Sequence, residues 1–66
     1  MKLIVSGTEW EFESAVNVSA LIERLALDQR SVAVAVNDEV VRRSTWPERE
    51  LRDGDRVEIV RAVQGG

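Results

Sequence analysis

The residues that most clearly indicate a chemical function are the two glycines at the C-terminal end, Gly65 and Gly66. Without Cβ atoms, they could thread a channel too narrow for any other residue. Fully extended, residues 64–66 would carry the terminal carboxylate roughly 10 Å beyond the domain. Chain ends also fray and collect small residues, although a chance terminal pair occurs in only about one chain in two hundred. We therefore expect residues 1–63 to form a domain and residues 64–66, beginning with Gln64, to form a flexible tail.

The side chains available for catalysis are few. The sequence contains no Cys, His or Tyr, so hydrolytic triads, thiol nucleophiles and zinc sites lack their usual residues. The alternating glutamates from Glu9 to Glu13 are typical of a solvated strand face rather than a cation site. Asp53 and Asp55 flank Gly54 and fit turn chemistry better than an acid/base pair. We predict no catalytic residue, no metal site and no bound cofactor.

The overall composition limits the possible partners. A chain of 66 residues is one small domain, and 9 basic against 12 acidic residues give a net charge of −3. This balance disfavours nucleic acid, whose binding depends on basic patches, and favours a basic protein partner. The apolar run at Met1–Ser6 is too short for a signal peptide or a membrane span. A cytoplasmic protein that does not bind membranes is the default expectation.

The first half of the chain predicts a hairpin followed by a helix. Residues 1–6 and 9–13 alternate with period two around a turn at Gly7-Thr8, with the aromatic residues of the second strand facing inward. The period then becomes helical, with an N-cap at Asn17 and an end near Leu27 to Gln29. The apolar stripe of this helix consists of Val18, Leu21, Ile22 and Leu25.

The second half predicts three further strands. Residues 31–36 alternate valine with alanine, and the small residues suggest crowding on their face of the sheet. A turn at 37–39 leads to a short returning strand at Val40-Val41, and Trp46 is expected to cover one end of the core. The turn around Gly54 precedes a final strand over residues 57–63, with Val57 and Ile59 facing inward.

The order strand, strand, helix, strand, short strand, strand is that of the β-grasp fold. This α+β fold, typified by ubiquitin, has a mixed sheet of four to five strands with one main helix packed across it. Parallel pairing between the first and last strands fits this order because parallel pairs need a long crossover connection.

Several short segments, taken together, resemble the sulfur carrier family of thiamine biosynthesis, the ThiS family. The likeness extends over nearly the whole chain, although the N-terminal half matches by hydrophobic pattern rather than by motif. Arg42 is a departure, because family members often have proline there. The matching segments are residues 32–37, 41–44, Trp46, Leu51, 53–60 and 63–66.

The resemblance implies a function for the tail. In the family, a ubiquitin-activating-type enzyme uses ATP and magnesium to adenylate the last glycine, which is Gly66 here. A persulfide sulfur, supplied by a cysteine desulfurase, then displaces AMP and leaves a thiocarboxylate. Thiazole synthase accepts this sulfur. The carrier is thus a co-substrate of its partner enzymes rather than an enzyme itself.

The same resemblance implies a docking surface on the outer face of the sheet beside the tail. Its candidate residues are Ile4, Val60, Ala62 and Val63, although Ile4 and Val60 are equally compatible with ordinary exposed aliphatic side chains.

Other functions remain compatible with the sequence. A molybdopterin-type sulfur carrier shares the fold and the diglycine but is usually longer. A ubiquitin-like modifier would instead join its last glycine to a lysine in an isopeptide bond. A plain β-grasp interaction module would not need the tail.

Overall fold

The computed structural model describes residues 1–61 of the chain, which form a mixed sheet with one α-helix. The five strands and the helix follow in the predicted order, and the prediction of a mixed sheet with one main helix is confirmed. Their bounds are β1 Lys2–Val5, β2 Thr8–Glu11, α1 Val18–Arg24, β3 Val32–Val36, β4 Glu39–Val41 and β5 Arg56–Arg61, with short 3-10 helices at Gln29–Ser31 and Arg43–Glu48.

The strand order in the sheet is β2-β1-β5-β3-β4. Strand β1 pairs with β5 in parallel, with Ile4 opposite Arg56 and Val5 opposite Val57. All other neighbouring strands are antiparallel. The last strand in sequence therefore lies at the centre of the sheet, and the predicted pairing of the first and last strands is confirmed.

Two tight turns connect the hairpins. Ser6 and Gly7 both have positive φ angles, as do Asn37 and Asp38, which is the geometry of two-residue hairpin turns. The first turn lies one residue earlier than the sequence predicted, and the second lies where it was predicted. The Asn37 side chain also accepts a hydrogen bond from the Arg56 backbone N–H at 3.0 Å, so this turn is fixed to the start of β5.

The core lies between α1 and one face of the sheet, here called the inner face. Alternate residues of β1, β3 and β5 point into it, together with Trp46, which is 2% exposed and donates its indole N–H to the Val41 carbonyl at 3.0 Å. Trp46 is thus a core residue, as predicted. The buried residues of this core are Leu3, Val5, Phe12, Val18, Leu21, Ile22, Val32, Val34, Val36, Trp46, Leu51 and Val57. No helix within residues 1–61 is long and apolar enough to cross a membrane.

Two local predictions were wrong. The helix ends at Arg24, several residues early, because the chain reverses at Ala26, whose φ is positive. The face of Ala33 and Ala35 is not crowded, since Ala33 is exposed and Ala35 is half-buried. Trp10 points to the inner side, as predicted, but it lies on an edge strand and is 40% exposed.

We predict that the cap at Asn17 accounts for a measurable part of the stability of this short helix. Its side chain accepts a hydrogen bond from the Ala20 N–H at 2.7 Å, so Asn17→Ala should lower the free energy of unfolding by about 1 kcal/mol. Urea denaturation measures this change. Asn17→Ser, which retains an acceptor, is the matched control, and equal losses in the two variants would contradict the capping role.

Candidate functional site

The turn before β5 sets the direction of the strand that leads toward the diglycine. Gly54 has a φ of +87°, a conformation that glycine adopts without strain. The Asp53 carboxylate accepts a hydrogen bond from the Lys2 backbone N–H at 2.6 Å, and the Asp55 carboxylate accepts one from the Arg52 N–H at 2.8 Å. These bonds confirm that both aspartates serve the turn.

Strand β5 is held along both edges. The Ser6 N–H donates to the Val57 carbonyl at 2.8 Å on the β1 side, and β3 pairs with β5 from Arg61 back to Val57 on the other side. Val57 is buried and Ile59 is half-buried, as predicted, whereas Val60 points to the outer face, opposite the helix, and is 62% exposed. The strand thus fixes the point from which the remaining residues continue.

The predicted tail lies outside the described residues. Ala62, Val63, Gln64, Gly65 and Gly66 all follow Arg61, so their proposed roles and the domain boundary after residue 63 stay predictions.

The two described docking candidates share the outer face but are not neighbours. Ile4 is 37% exposed and lies opposite Arg56, whereas Val60 lies four residues farther along β5. At about 3.3 Å per residue, the two positions are roughly 13 Å apart along the strand direction. Ile4 also lies opposite Glu9 of β2, so its surroundings are charged.

Val60 instead belongs to an apolar surface that the sequence analysis did not predict. It pairs with Ala33 of β3. Ala35, two residues along the same strand face, lies between Val40 of β4 and Glu58 of β5, so one carboxylate borders this surface. Val40 is 77% exposed. We call Ala33, Ala35, Val40 and Val60 the outer patch. The alternation of valine with alanine in β3 was the available signal, but its small residues suggested crowding rather than a shallow exposed surface.

Polar groups lie near the end of β5 on the inner side of the sheet, opposite to the outer patch. Arg61 pairs with Val32, whose carbonyl accepts a hydrogen bond from the Arg43 guanidinium at 3.3 Å. The pKa of Asp28 is lowered, chiefly because its carboxylate accepts the Arg30 backbone N–H at 3.0 Å, with the Ser31 hydroxyl adding a second hydrogen bond at 3.2 Å. The Arg43 guanidinium also lies over the ring of Trp46. This side chain therefore packs against the core as well as contributing to the polar surface.

The parallel pairing of β1 with β5, the α-helix that residues 1–61 place across one face of the sheet, and the diglycine later in the sequence define a ubiquitin-like β-grasp protein. Within this class, the model of the ThiS family matches residues 2–66. The chain therefore belongs to the ThiS family.

Individual relatives agree with this assignment. The crystal structure of a thiamine biosynthesis protein (ThiS) from Geobacter metallireducens superposes with a TM-score of 0.86 at 32% identity and covers all of both chains. A sulfur carrier protein ThiS from Thermus thermophilus is 41% identical over 46 residues, which are 70% of this chain and 72% of the relative. These matches confirm the β-grasp fold and the family resemblance.

A third relative is a longer protein. A thiazole synthase from Paramagnetospirillum magneticum is 41% identical over all 66 residues of this chain. The chain spans 20% of the length of that relative.

We predict that the turn before β5 depends on glycine at position 54. Gly54→Ala should lower the free energy of unfolding by about 1 kcal/mol, because a side chain is strained at this positive φ although no atom lies near the added methyl group. Thermal or urea unfolding measures the loss. Gly54→Asn should lose less stability because asparagine tolerates positive φ, and an alanine variant as stable as the parent chain would contradict the prediction.

Proposed function

We propose that this chain is a sulfur carrier of thiamine biosynthesis that holds sulfur on its C-terminal glycine. The observation that carries the proposal is the position of β5: in a member of the ThiS family, this strand is paired on both edges and leads directly into the sequence that ends with Gly66. The domain then serves as a rigid base for the tail, and the tail takes part in the chemistry.

The chemistry begins with activation of the terminal carboxylate. An α-carboxyl group has a pKa of about 3.3–3.7, so at neutral pH it is an anion and a poor electrophile. In the proposal, a ubiquitin-activating-type enzyme uses ATP and magnesium to convert the Gly66 carboxylate into an acyl-adenylate. A persulfide sulfur from a cysteine desulfurase attacks the acyl carbon, and AMP leaves, which gives an acyl disulfide. A thiol then attacks the enzyme-side sulfur of this disulfide, so that a new disulfide forms and the thiocarboxylate is released.

The catalytic groups for these steps belong to the partner enzymes. The chain has no Cys or His to form a covalent intermediate or to shuttle protons. We therefore propose that it is a co-substrate and not an enzyme. ATP and magnesium are consumed by the adenylating partner rather than bound here as cofactors, and the proposed setting is the cytoplasm.

Thiazole synthase is the proposed acceptor of the sulfur. Support comes from the relative named thiazole synthase, in which a segment similar to this entire chain forms part of a longer polypeptide. Residence in one polypeptide gives two modules a high effective concentration for each other, which favours a thiazole synthase as the partner of this chain.

The outer patch is the proposed docking surface for these partners. Its valines are exposed on a sheet face, and its alanines leave the backbone accessible to close approach, which suits an apolar interface core. Val60 lies two residues before Ala62 and three before Val63, the other docking candidates in this part of the sequence. Ile4, which lies apart beside charged residues, is the weaker candidate of those predicted from the sequence.

The family assignment favours thiamine biosynthesis over the alternatives. A molybdopterin-type carrier or a ubiquitin-like modifier would use the same tail, but the family model and the relatives named ThiS support sulfur transfer for the thiazole ring.

We predict that the intact chain exchanges one terminal oxygen for sulfur when it is incubated with the adenylating enzyme, ATP, magnesium, cysteine and a desulfurase. Intact-mass spectrometry measures the exchange, because oxygen and sulfur differ in mass. A chain lacking Gly66 is the control: it retains all residues of the described domain and should remain unmodified. Covalent adducts to other proteins would support the modifier instead, and an unchanged mass with an active partner would contradict both.

We also predict that a charge on the outer patch slows adenylation without unfolding the domain. Val60→Glu and Val40→Glu should each lower the rate by about tenfold, because a carboxylate would be buried in an apolar interface. Pyrophosphate release measures the rate, and circular dichroism should be unchanged since both side chains are exposed. Ile4→Glu is the matched control; a greater loss in this variant would place the interface at Ile4.

A further inference from the structure

Strand β2 lies at one edge of the sheet and pairs within residues 1–61 with β1 alone. The N-terminal amine of Met1 donates to the Phe12 carbonyl at 2.8 Å, and the Phe12 N–H donates to the Met1 carbonyl at 2.8 Å. These two residues therefore form a hydrogen-bonded pair, and such pairs alternate along an antiparallel ladder. Leu3 and Trp10 form the next such pair.

The alternation determines where the remaining backbone groups of β2 point. Glu9 and Glu11 lie opposite Ile4 and Lys2 in the intervening, non-hydrogen-bonded pairs. Their backbone N–H and C=O groups consequently face away from β1, toward the outer side of the edge. The Ile4 N–H likewise points away from β2, since it donates to the Asp55 carbonyl at 3.0 Å. Residues 9–11 thus offer the hydrogen-bonding pattern that an added strand would complete.

An apolar groove lies beneath this edge on the inner side. It has a volume of about 340 Å³, and Trp10, which borders it, is 40% exposed. Trp10 is also held in place, because its ring stacks on Phe12 with centroids 6.5 Å apart, and Phe12 is covered by the Arg24 guanidinium at 5.5 Å. The groove is otherwise lined by the apolar residues Val5, Leu25, Leu27 and Ile59 and, at its rim, by Ser6, Thr8 and Arg61.

On the outer face of the sheet, the same edge is acidic, and we call this part of the outer face the acidic face. The side chains of Glu9 and Glu11 point to the outer face, and the ion pair found among residues 1–61, Arg56–Asp38, includes neither of them. Charged side chains on an edge strand oppose self-association, which accounts for the glutamates. That role does not account for a fixed, exposed tryptophan beside an apolar groove.

We propose that the β2 edge and the Trp10 groove together bind an extended segment of a partner protein by strand addition. An antiparallel segment would place two residues directly opposite Glu9 and Glu11, with their side chains on the acidic face, and one residue between them opposite Trp10. Opposite charges favour such cross-strand pairs. The segment should therefore carry a basic residue, an apolar residue and a second basic residue at three successive positions.

A second copy of this chain does not meet these requirements. Antiparallel pairing of two β2 edges would set Glu9 against Glu11 of the copy, and like charges directly opposite each other destabilise a strand pair. The proposed segment uses neither the outer patch nor the diglycine, so a partner could hold the carrier while its tail is engaged elsewhere. The binding test below requires neither adenylation nor sulfur, and its result is independent of the proposed function.

The test is a titration of the full-length, ¹⁵N-labelled chain with the capped peptide acetyl-Thr-Arg-Leu-Arg-Thr-amide, followed by two-dimensional NMR. We expect shifts of the Glu9 and Glu11 amides and of the Trp10 indole N–H, while the buried Trp46 indole serves as an internal reference. Replacing both arginines of the peptide by glutamate should weaken binding by about tenfold. No shifts at millimolar peptide, or shifts centred on another strand, would overturn the proposal.

Two matched controls separate strand addition from simple charge attraction. The same peptide with N-methyl groups on both arginines keeps its charge but cannot donate to β2, so it should lose about tenfold in affinity. In the protein, Glu11→Pro removes an outward-facing N–H and should do the same, whereas Glu11→Gln keeps that donor and should lose less. The peptide control leaves the protein unchanged and decides the question even if Glu11→Pro does not fold. Equal affinity of the methylated peptide would overturn the proposal.

Discussion

The pairing of β5 on both of its edges is the constraint on which the rest of the structure depends. A central strand must satisfy its backbone groups on two sides, and here β1 and β3 supply the partners. The Asp53-Gly54-Asp55 turn and the Asn37 side chain fix the beginning of the strand. The direction of β5 up to Arg61 therefore follows from these contacts.

The strand and helix order was predictable because period-two and near-3.6 alternation follow directly from which side chains must be buried. Asn17, Trp46 and the aspartates around Gly54 also took their predicted roles, since caps and turns depend on local chemistry. The end of α1 was not predictable in this way. The reversal occurs at Ala26 with a positive φ, and alanine gives no sequence signal for that conformation.

The candidate site was predictable only in part. Alternation indicates which face of a strand a residue occupies, but not whether that face is covered by another element. Trp10 was assigned correctly to the inner side, but the structure leaves it 40% exposed. Val60 was assigned correctly to the outer face, but the structure separates it from Ile4, with which it was predicted to form one docking surface. The grouping of Val60 with Val40 depends on strand register, which joins residues distant in sequence.

The parallel pairing of β1 with β5 also has a consequence during synthesis. Strand β1 cannot complete its pairing until residues 56–61 have left the ribosome, because its parallel partner is the last of the strands that the structure describes. An incomplete product would lack the centre of its sheet and expose the apolar faces of the remaining strands. Such a fragment would be a substrate for proteolysis rather than a competitor for the enzymes that recognise the finished domain.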